Sequence, residues 1–431
     1  NLLDAWILGF ALRASGLTTV AVKDGGEIDA LGIANVGCVV TSAAEDRPAR
    51  ALDAGARPWR RIQASTAPDP ASPSGAHGEW SPPANAGGHI MMTSGTTGTY
   101  KKVVRDAAAE ALALPLHATI NEITGHSVVY TGNFGLWTAG GYRWPLITWS
   151  AGGTVVIHQG PDMHGSLARH AVTHAFATPG TLPDLLRPSH GTRRRNDEMR
   201  LMVTGGALPQ FMLDAARRDL TRRVYAVLAS TEALTVAVTP LDASDDLYWH
   251  RVHPSREVQI VDDAHRVLGP GREGLVRIRV IDGLRGYLDD DAATRAFFRD
   301  GYFYPGDIGV LGADGRLSLR GRASDVVNVL GDKVATGAIE QAMQDALGAR
   351  GVCVVALPTP VGRDEIYVVI EPGRPLASAE IRAVVNALLG TLKRLPVRSV
   401  LAKALPRSEA GKVDRLQLKR QLLSALGDGR E

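Results

Sequence analysis

The chain has 431 residues, 45% hydrophobic and 22% charged, with 48 Lys and Arg against 45 Asp and Glu; that length exceeds one ordinary domain and the composition is that of a soluble globular protein. A net charge of +3 gives no electrostatic case for nucleic acid, and no run approaches the ~18 apolar residues of a membrane span. The two cysteines, Cys38 and Cys353, sit far apart in apolar runs and read as buried thiols of a reducing compartment, the cytoplasm, with no disulfide.

In chain order, a helix is expected over Leu2 to Ser15. Its apolar part, Ala5 to Leu12, is short and follows no basic segment, so it is not read as a signal peptide. Asn1 is not an initiating Met, which is expected of a fragment or a trimmed chain. Thr18 to Val22 and Val36 to Val40 read as parallel-type strands. Gln63 to Gly88 is rich in Pro, Ser, Ala and Gly and reads as an exposed linker. Strands recur at Ser127 to Tyr130, Thr154 to Ile157, Leu201 to Val203 and Val224 to Leu228, with helices over Gly180 to Leu186 and Gln210 to Leu220 between them. That alternation implies doubly wound α/β sheets. From Val258 to Val280 the pattern turns to short strands with Gly turns, including Asp262 to Gly271 and Gly274 to Val280, as in an antiparallel or barrel-like part. Beyond Gly321, strands at Gly351 to Leu357 and Glu365 to Glu371 precede a helix with Ile381, Val384, Val385, Leu388 and Leu389 on one face. This region reads as a small α+β domain.

One stretch stands apart. His89 to Met92 suits a buried strand, and Thr93, Ser94, Gly95, Thr96, Thr97, Gly98 and Thr99 follow as an unbroken run of small residues before Lys101. Two glycines let backbone N–H groups and hydroxyls converge on an anion, and a lysine adds a point charge, so the chemistry suits a polyphosphate. Such a run is also the composition of a linker; the strand before it and the lysine after it favour a site. The spacing is not that of a P-loop, which needs Lys directly after Gly. Elsewhere, Gly306-Asp307 read alone is most simply a turn. Thr231-Glu232, read alone at a strand end, is a helix cap more often than a metal site. His170 and His174 have i, i+4 spacing without a third ligand and read as structural.

Taken together, the stretches resemble the adenylate-forming superfamily of acyl-CoA synthetases, adenylation domains and luciferases. Thr93 to Lys101 matches its T-S-G-T-T-G-x-x-K phosphate loop. Gly205-Gly206-Ala207 matches a G-G-A turn beside the adenine, and Leu228-Ala229-Ser230-Thr231-Glu232 resembles Y-G-x-T-E, with Leu228 where an aromatic stacks on adenine. Tyr302-Phe303-Tyr304-Pro305-Gly306-Asp307 resembles the Y-x-T-G-D stretch, with Pro305 in place of its Thr, and Gly321-Arg322-Ala323-Ser324-Asp325 resembles the G-R-x-[DK]-D hinge. Leu405 to Arg415 matches L-P-R-x-x-x-G-K-x-x-R, which includes Lys412.

The resemblance implies a large adenylation domain over 1–322 and a small mobile lid over 323–431, pivoting at Ser324. It implies ATP bound by the phosphate loop, Thr231, Asp307 and Arg322, Mg²⁺ held by Glu232, and Lys412 as the catalytic lysine between two anions. A carboxylic acid would be joined to AMP with release of pyrophosphate, then passed to the thiol of coenzyme A or of a carrier protein's phosphopantetheine. The acid pocket falls near Asn133, Phe134 and Trp137. No Asp stands there to pair an ammonium, and Asn133-Phe134 resembles a pair in aryl-acid-activating relatives, though it is equally an ordinary turn. A nucleotide-binding pseudoenzyme is the third reading, favoured by Leu228, Ala229, Pro305 and Ser324 and opposed by Lys101, Glu232, Asp307, Arg322 and Lys412.

Overall fold

The computed structural model describes residues 2–22, 31–33, 36, 38–42, 60–64, 86–93, 101–132, 134–157, 162–187, 195–323, 326–329, 332–358, 364–390, 392, 395–407 and 413–427. Its contacts divide the chain into two compact units, residues 1–159 with 280–296, and residues 160–279 with 297–431. Among the described residues no helix is long and apolar enough to cross a membrane.

In the first unit, helix α1 (Leu2–Ala14) precedes strands β1 (Thr19–Val20), β2 (Cys38–Ser42), β3 (Arg60–Ala64), β4 (His89–Thr93) and β5 (Lys101–Arg105). After α2 (Ala107–Ile120) come β6 (Val128–Tyr130), α3 (Ala139–Ser150) and β7 (Thr154–Val156). The expected parallel pairings are present: β1 lies along β4, β2 along β3, and β6 along β7. Side-chain caps start both later helices. Asp106 Oδ1 accepts from Ala109 N at 2.8 Å, and Thr138 Oγ1 from Gly141 N at 3.0 Å.

Two expectations are corrected here. Cys38 is only half buried, in a strand of a two-stranded sheet, while Cys353 is buried and in no disulfide, its Sγ accepting from Arg415 Nη1 at 3.1 Å. The tract from Gln63 to Gly88 is not a linker at its ends: Gln63 and Ala64 complete β3, and Gly87 and Gly88 are buried, with Gly87 O accepting from Arg13 Nε at 3.3 Å. Residues 65–85 between them lie outside the described residues.

The core of this unit carries a charged network. Arg13 forms an ion pair with Glu110 and donates to the Tyr142 hydroxyl, which itself donates to Glu110 Oε1 at 2.5 Å; all three side chains are buried. The Tyr142 ring stacks on Trp6 on one side and on His89 on the other, with centroids 5.3 and 3.9 Å apart. Burial, and secondarily the Arg13 charge, lower the His89 pKa to about 3, and its Nδ1 is 2.9 Å from Thr19 Oγ1. The neutral ring is therefore the folded form. Because its pKa falls below the unfolded value of about 6.5, its contribution is full above that value and lost as pH drops toward 3, up to about 5 kcal/mol in all. Urea unfolding of wild type and His89→Phe between pH 7 and 4 should show a steeper loss for wild type; equal slopes would contradict a neutral buried His89.

In the second unit, α4 (Met163–Arg169), β8 (His174–Ala177), α5 (Leu182–Leu186), β9 (Arg200–Thr204), α6 (Gln210–Asp219) and β10 (Val224–Ser230) alternate as expected, with β8, β9 and β10 parallel. β11 (Leu234–Pro240) then returns antiparallel along β10. A second, antiparallel sheet follows, built from β12 (His250–Arg251), β13 (Val258–Val261), β14 (Glu273–Arg279), β15 (Phe298–Arg299), β16 (Tyr302–Phe303), β17 (Asp307–Leu311) and β18 (Arg316–Arg322). Asp262 to Gly271, expected to hold a strand, is a turn with a single bridge at Val267. Asp262 Oδ1 organises it by accepting from Ala264 N and Arg266 N, both at 2.9 Å.

The hairpin β19 (Val326–Val329) and β20 (Asp332–Ala335) leads to α7 (Gly337–Leu347), β21 (Gly351–Pro358), β22 (Asp364–Glu371), α8 (Ser378–Leu388), β23 (Val397–Leu401) and α9 (Arg415–Gly427). The three strands pair in the order β21-β22-β23. One core holds Met343 and Leu347 of α7 with Ile381 and Val385 of α8 and Leu389 just beyond it, which is the apolar face expected there. A second core gathers Val355, Tyr367, Leu405 and Leu418. β23 is an edge strand, and its exposed Arg398 holds Glu365 of β22 at 2.5 Å.

α7 lies hard against β18. A Cβ on Gly337 would fall 2.9 Å from Gly321 Cα, so only glycine fits there. Asp345 of α7 accepts from Gln210 N at 3.2 Å and from the Tyr248 hydroxyl, tying the helix to the start of α6.

Candidate functional site

β9 and β10 run side by side with Val227 beside Thr204, so the residues that follow in both strands leave the sheet at one carboxyl end. In sheets of this kind that end is where ligands are held. From β9 comes the turn Gly205-Gly206-Ala207. Gly205 has φ +85°, a left-handed value that costs a residue with a Cβ roughly 1–2 kcal/mol. Gly206 and Ala207 are exposed.

From β10 come Leu228, Ala229 and Ser230, all half buried, with a bulge between Leu228 and Ala229 against β11. Ser230 pairs with Leu234, which leaves Thr231, Glu232 and Ala233 as the connecting turn. Ser230 Oγ braces it by accepting from Ala233 N at 2.9 Å. Thr231-Glu232 is therefore a strand-to-strand turn and not the helix cap that the pair suggests in isolation. Glu232 is buried, 8% exposed.

Asp307 opens β17 and Arg322 closes β18, and the two are direct partners in the antiparallel register. Arg322 Nε lies 3.2 Å from Asp307 Oδ1, so the arginine orients this carboxylate. Ala323 N donates to Gly306 O at 2.8 Å, tying the chain after β18 back to the Gly306-Asp307 step.

In the first unit, Thr93 and Lys101 face each other across β4 and β5. Ser94, Gly95, Thr96, Thr97 and Gly98, between them, lie outside the described residues, as do Asn133, Ser324 and Lys412. Lys101 Nζ stands 5.6 Å from the centre of the Tyr287 ring, a cation–π partner that no motif flagged. Lys102, one residue on and so on the opposite face of the strand, is buried with Nζ on Leu31 O at 2.8 Å. The Trp137 ring covers Gly135, where a Cβ would fall 2.2 Å from its Cζ2, and the Phe134 ring lies over Gly140 at 3.4 Å by the same measure.

Among the described residues no group of three or more His, Cys, Asp or Glu could hold a metal. His170 caps the end of α4 and His174 lies buried in β8, so their spacing does not form a helical pair. Glu232 beside the Thr231 hydroxyl is an all-oxygen set with one carboxylate. That fits Mg²⁺, which keeps several waters and is shared with substrate phosphates, and it does not fit a metal needing a full protein cage.

This chain belongs to the AMP-binding enzyme family, whose model matches residues 3–288. It is 30% identical over 353 residues to a 3-hydroxybenzoate/4-hydroxybenzoate CoA ligase of Thauera aromatica, covering 78% of this chain and 66% of that one. It is 25% identical over 367 residues to a salicyl-AMP ligase / salicyl-S-ArCP synthetase of Mycobacterium tuberculosis, covering 81% and 64%. Among solved structures, the amide bond synthetase McbA of Marinactinospora thermotolerans superposes with a TM-score of 0.67 at 25% identity, over 77% of this chain and 69% of that one. The chain spans just under two thirds of the length of these curated relatives.

Gly205→Ala tests the turn. It should lower stability by about 1–2 kcal/mol in denaturant unfolding, the cost of a left-handed residue with a Cβ; an unchanged midpoint would mean that the turn has another conformation in solution.

Proposed function

We propose that the chain activates an aromatic carboxylic acid with ATP and transfers the acyl group to a thiol, that of coenzyme A. A carboxylate oxygen attacks the α-phosphorus, the bond to pyrophosphate breaks, and an aryl-adenylate forms. The thiol sulfur then attacks the acyl carbon and AMP leaves. The observation that carries the reading is the common carboxyl end of β9 and β10, which brings the Gly205-Gly206 turn beside Leu228 and the Thr231-Glu232 turn.

In this reading the adenine lies between Gly205-Gly206-Ala207 and Leu228, an aliphatic surface where related enzymes stack an aromatic. Asp307, oriented by Arg322, accepts from the ribose hydroxyls. The loop from Thr93 to Gly98 and Lys101 take the β- and γ-phosphates, and Thr231 donates to a phosphate oxygen. Mg²⁺, when bound through Glu232, neutralises phosphate charge. Lys412 supplies a cation where carboxylate and phosphate oxygens crowd together in the transition state. The aromatic class is supported by the activities of the relatives, which act on hydroxybenzoates and salicylate, and by the two rings at Phe134 and Trp137 lying over glycines, with Asn133 as a hydrogen-bonding partner for a ring hydroxyl. Cys353, buried and in no disulfide, suits a reducing compartment such as the cytoplasm. The salicyl-S-ArCP synthetase relative favours one alternative acceptor, a carrier-protein phosphopantetheine.

The deciding experiment is acid-dependent exchange of pyrophosphate into ATP over a panel of benzoates, aliphatic acids and amino acids. Hydroxybenzoates should support exchange and α-amino acids should not. Formation of ADP and phosphate without AMP, or no exchange with any acid, would overturn the proposal. Supplying free coenzyme A or a loaded carrier protein then separates the two acceptors.

Lys412→Ala should reduce adenylation by a few orders of magnitude, on the order of 3–5 kcal/mol, while thioester formation from supplied aryl-adenylate continues. Equal loss in both steps would refute its role. We further propose that residues 323–431 pivot at Ser324 between the two steps. Ser324→Pro should then keep adenylation within about tenfold of wild type, ~1.4 kcal/mol, and lose thioester formation by far more; survival of both steps would place the pivot elsewhere.

A further inference from the structure

Arg256 belongs to none of the matched motifs. It follows the His253-Pro254-Ser255 turn and precedes β13, and its side chain is 5% exposed. Nη2 donates to Ala233 O at 2.7 Å and to Arg279 O, at the end of β14, at 3.3 Å. Nε and Nη1 are buried with no hydrogen-bond partner among the described residues. Burial lowers the guanidinium pKa to about 10. A cation held this way is a poor stabiliser, since desolvation of the charge and of two donors opposes the one short hydrogen bond.

What the contact does hold is a strained peptide. Leu234, directly after Ala233, has φ +67°, a value that a branched side chain adopts only when its surroundings impose it. The peptide plane between the two residues carries both the carbonyl gripped by Arg256 and the N–Cα bond about which Leu234 is turned. If the carbonyl is released, Leu234 can relax toward negative φ, and the plane swings with the turn Thr231-Glu232-Ala233 attached to it. Ser230 Oγ braces the same turn from its other end through Ala233 N.

We propose that Arg256 is a positioning residue for the metal-linked nucleotide: by holding the Ala233 carbonyl it fixes the turn on which Glu232 and Thr231 meet Mg²⁺ and phosphate. The inference rests on the assignment of Glu232 given above. It makes Arg256 act through the turn and not by contact with substrate.

The test is calorimetric binding of a non-hydrolysable ATP analogue, with and without Mg²⁺, to wild type, Arg256→Met, Arg256→Lys and Glu232→Gln, with thermal unfolding of each. Arg256→Met should weaken binding of the Mg²⁺ complex at least tenfold, weaken metal-free nucleotide binding severalfold less through the displaced Thr231, and unfold at or above the wild-type temperature. Arg256→Lys, which keeps a donor for the carbonyl, should recover most of the loss. Wild-type binding of the Mg²⁺ complex by Arg256→Met, an equal loss with and without metal, or a Lys variant no better than Met would overturn the proposal. Glu232→Gln is read separately: if it leaves the Mg²⁺ dependence unchanged, the metal assignment itself is wrong, whatever Arg256 does.

Discussion

The parallel pairing of β9 with β10 is the constraint on which the candidate site depends. A parallel register fixes which residues end together. With Val227 opposite Thr204, the glycine turn after one strand and the Leu228 to Glu232 segment of the other must emerge side by side. The return strand β11 then closes a tight turn, since Ser230 and Leu234 are paired, and Glu232 has little room to be elsewhere. Backbone hydrogen bonding thus sets the position of a carboxylate that side-chain packing alone would leave free to rotate.

A different kind of constraint organises the first unit. Arg13, Glu110 and Tyr142 come from three helices and satisfy one another in the interior. Removing one member would strand a buried charge at a cost of about 3–5 kcal/mol, more than the net worth of the intact pair. The stacked series Trp6, Tyr142 and His89 gives two of these helices, α1 and α3, and β4 a shared aromatic layer. β4 leads directly into the phosphate-loop stretch, so this layer is what anchors the strand that delivers it.

Local patterns were legible where the information is local. The apolar face of α8 follows from the spacing of Ile381, Val385 and Leu389, and β4 from an apolar run ending at Thr93. Strand-end residues such as Asp307 could be nominated because Gly306 marks a turn. Their partners could be nominated only by resemblance, since the Asp307–Arg322 register is a property of two paired strands. The Arg13 network was invisible because its members are 97 and 129 residues apart. Arg256 was invisible for a sharper reason. An arginine in a polar turn reads as a solvated side chain, and only the backbone carbonyl above it shows otherwise. The misread at Asp262 to Gly271 has a similar origin, because apolar residues in a short loop mimic a strand when the Asx turn closing it goes unrecognised.

The edge of the C-terminal sheet has a bearing on how the chain behaves in a crowded solution. β23 is short, parallel to β22, and among the described residues no strand pairs with its outer side. Leu401 on that strand is 53% exposed, so little but Arg398 separates it from an adhesive β surface. Guanidinium groups on an edge strand discourage strand addition by a neighbouring molecule. Arg398 is exposed on this strand and pairs with Glu365 of the adjacent strand. A charge on the edge strand, rather than the apolar Leu401 alone, is then what an approaching strand would meet.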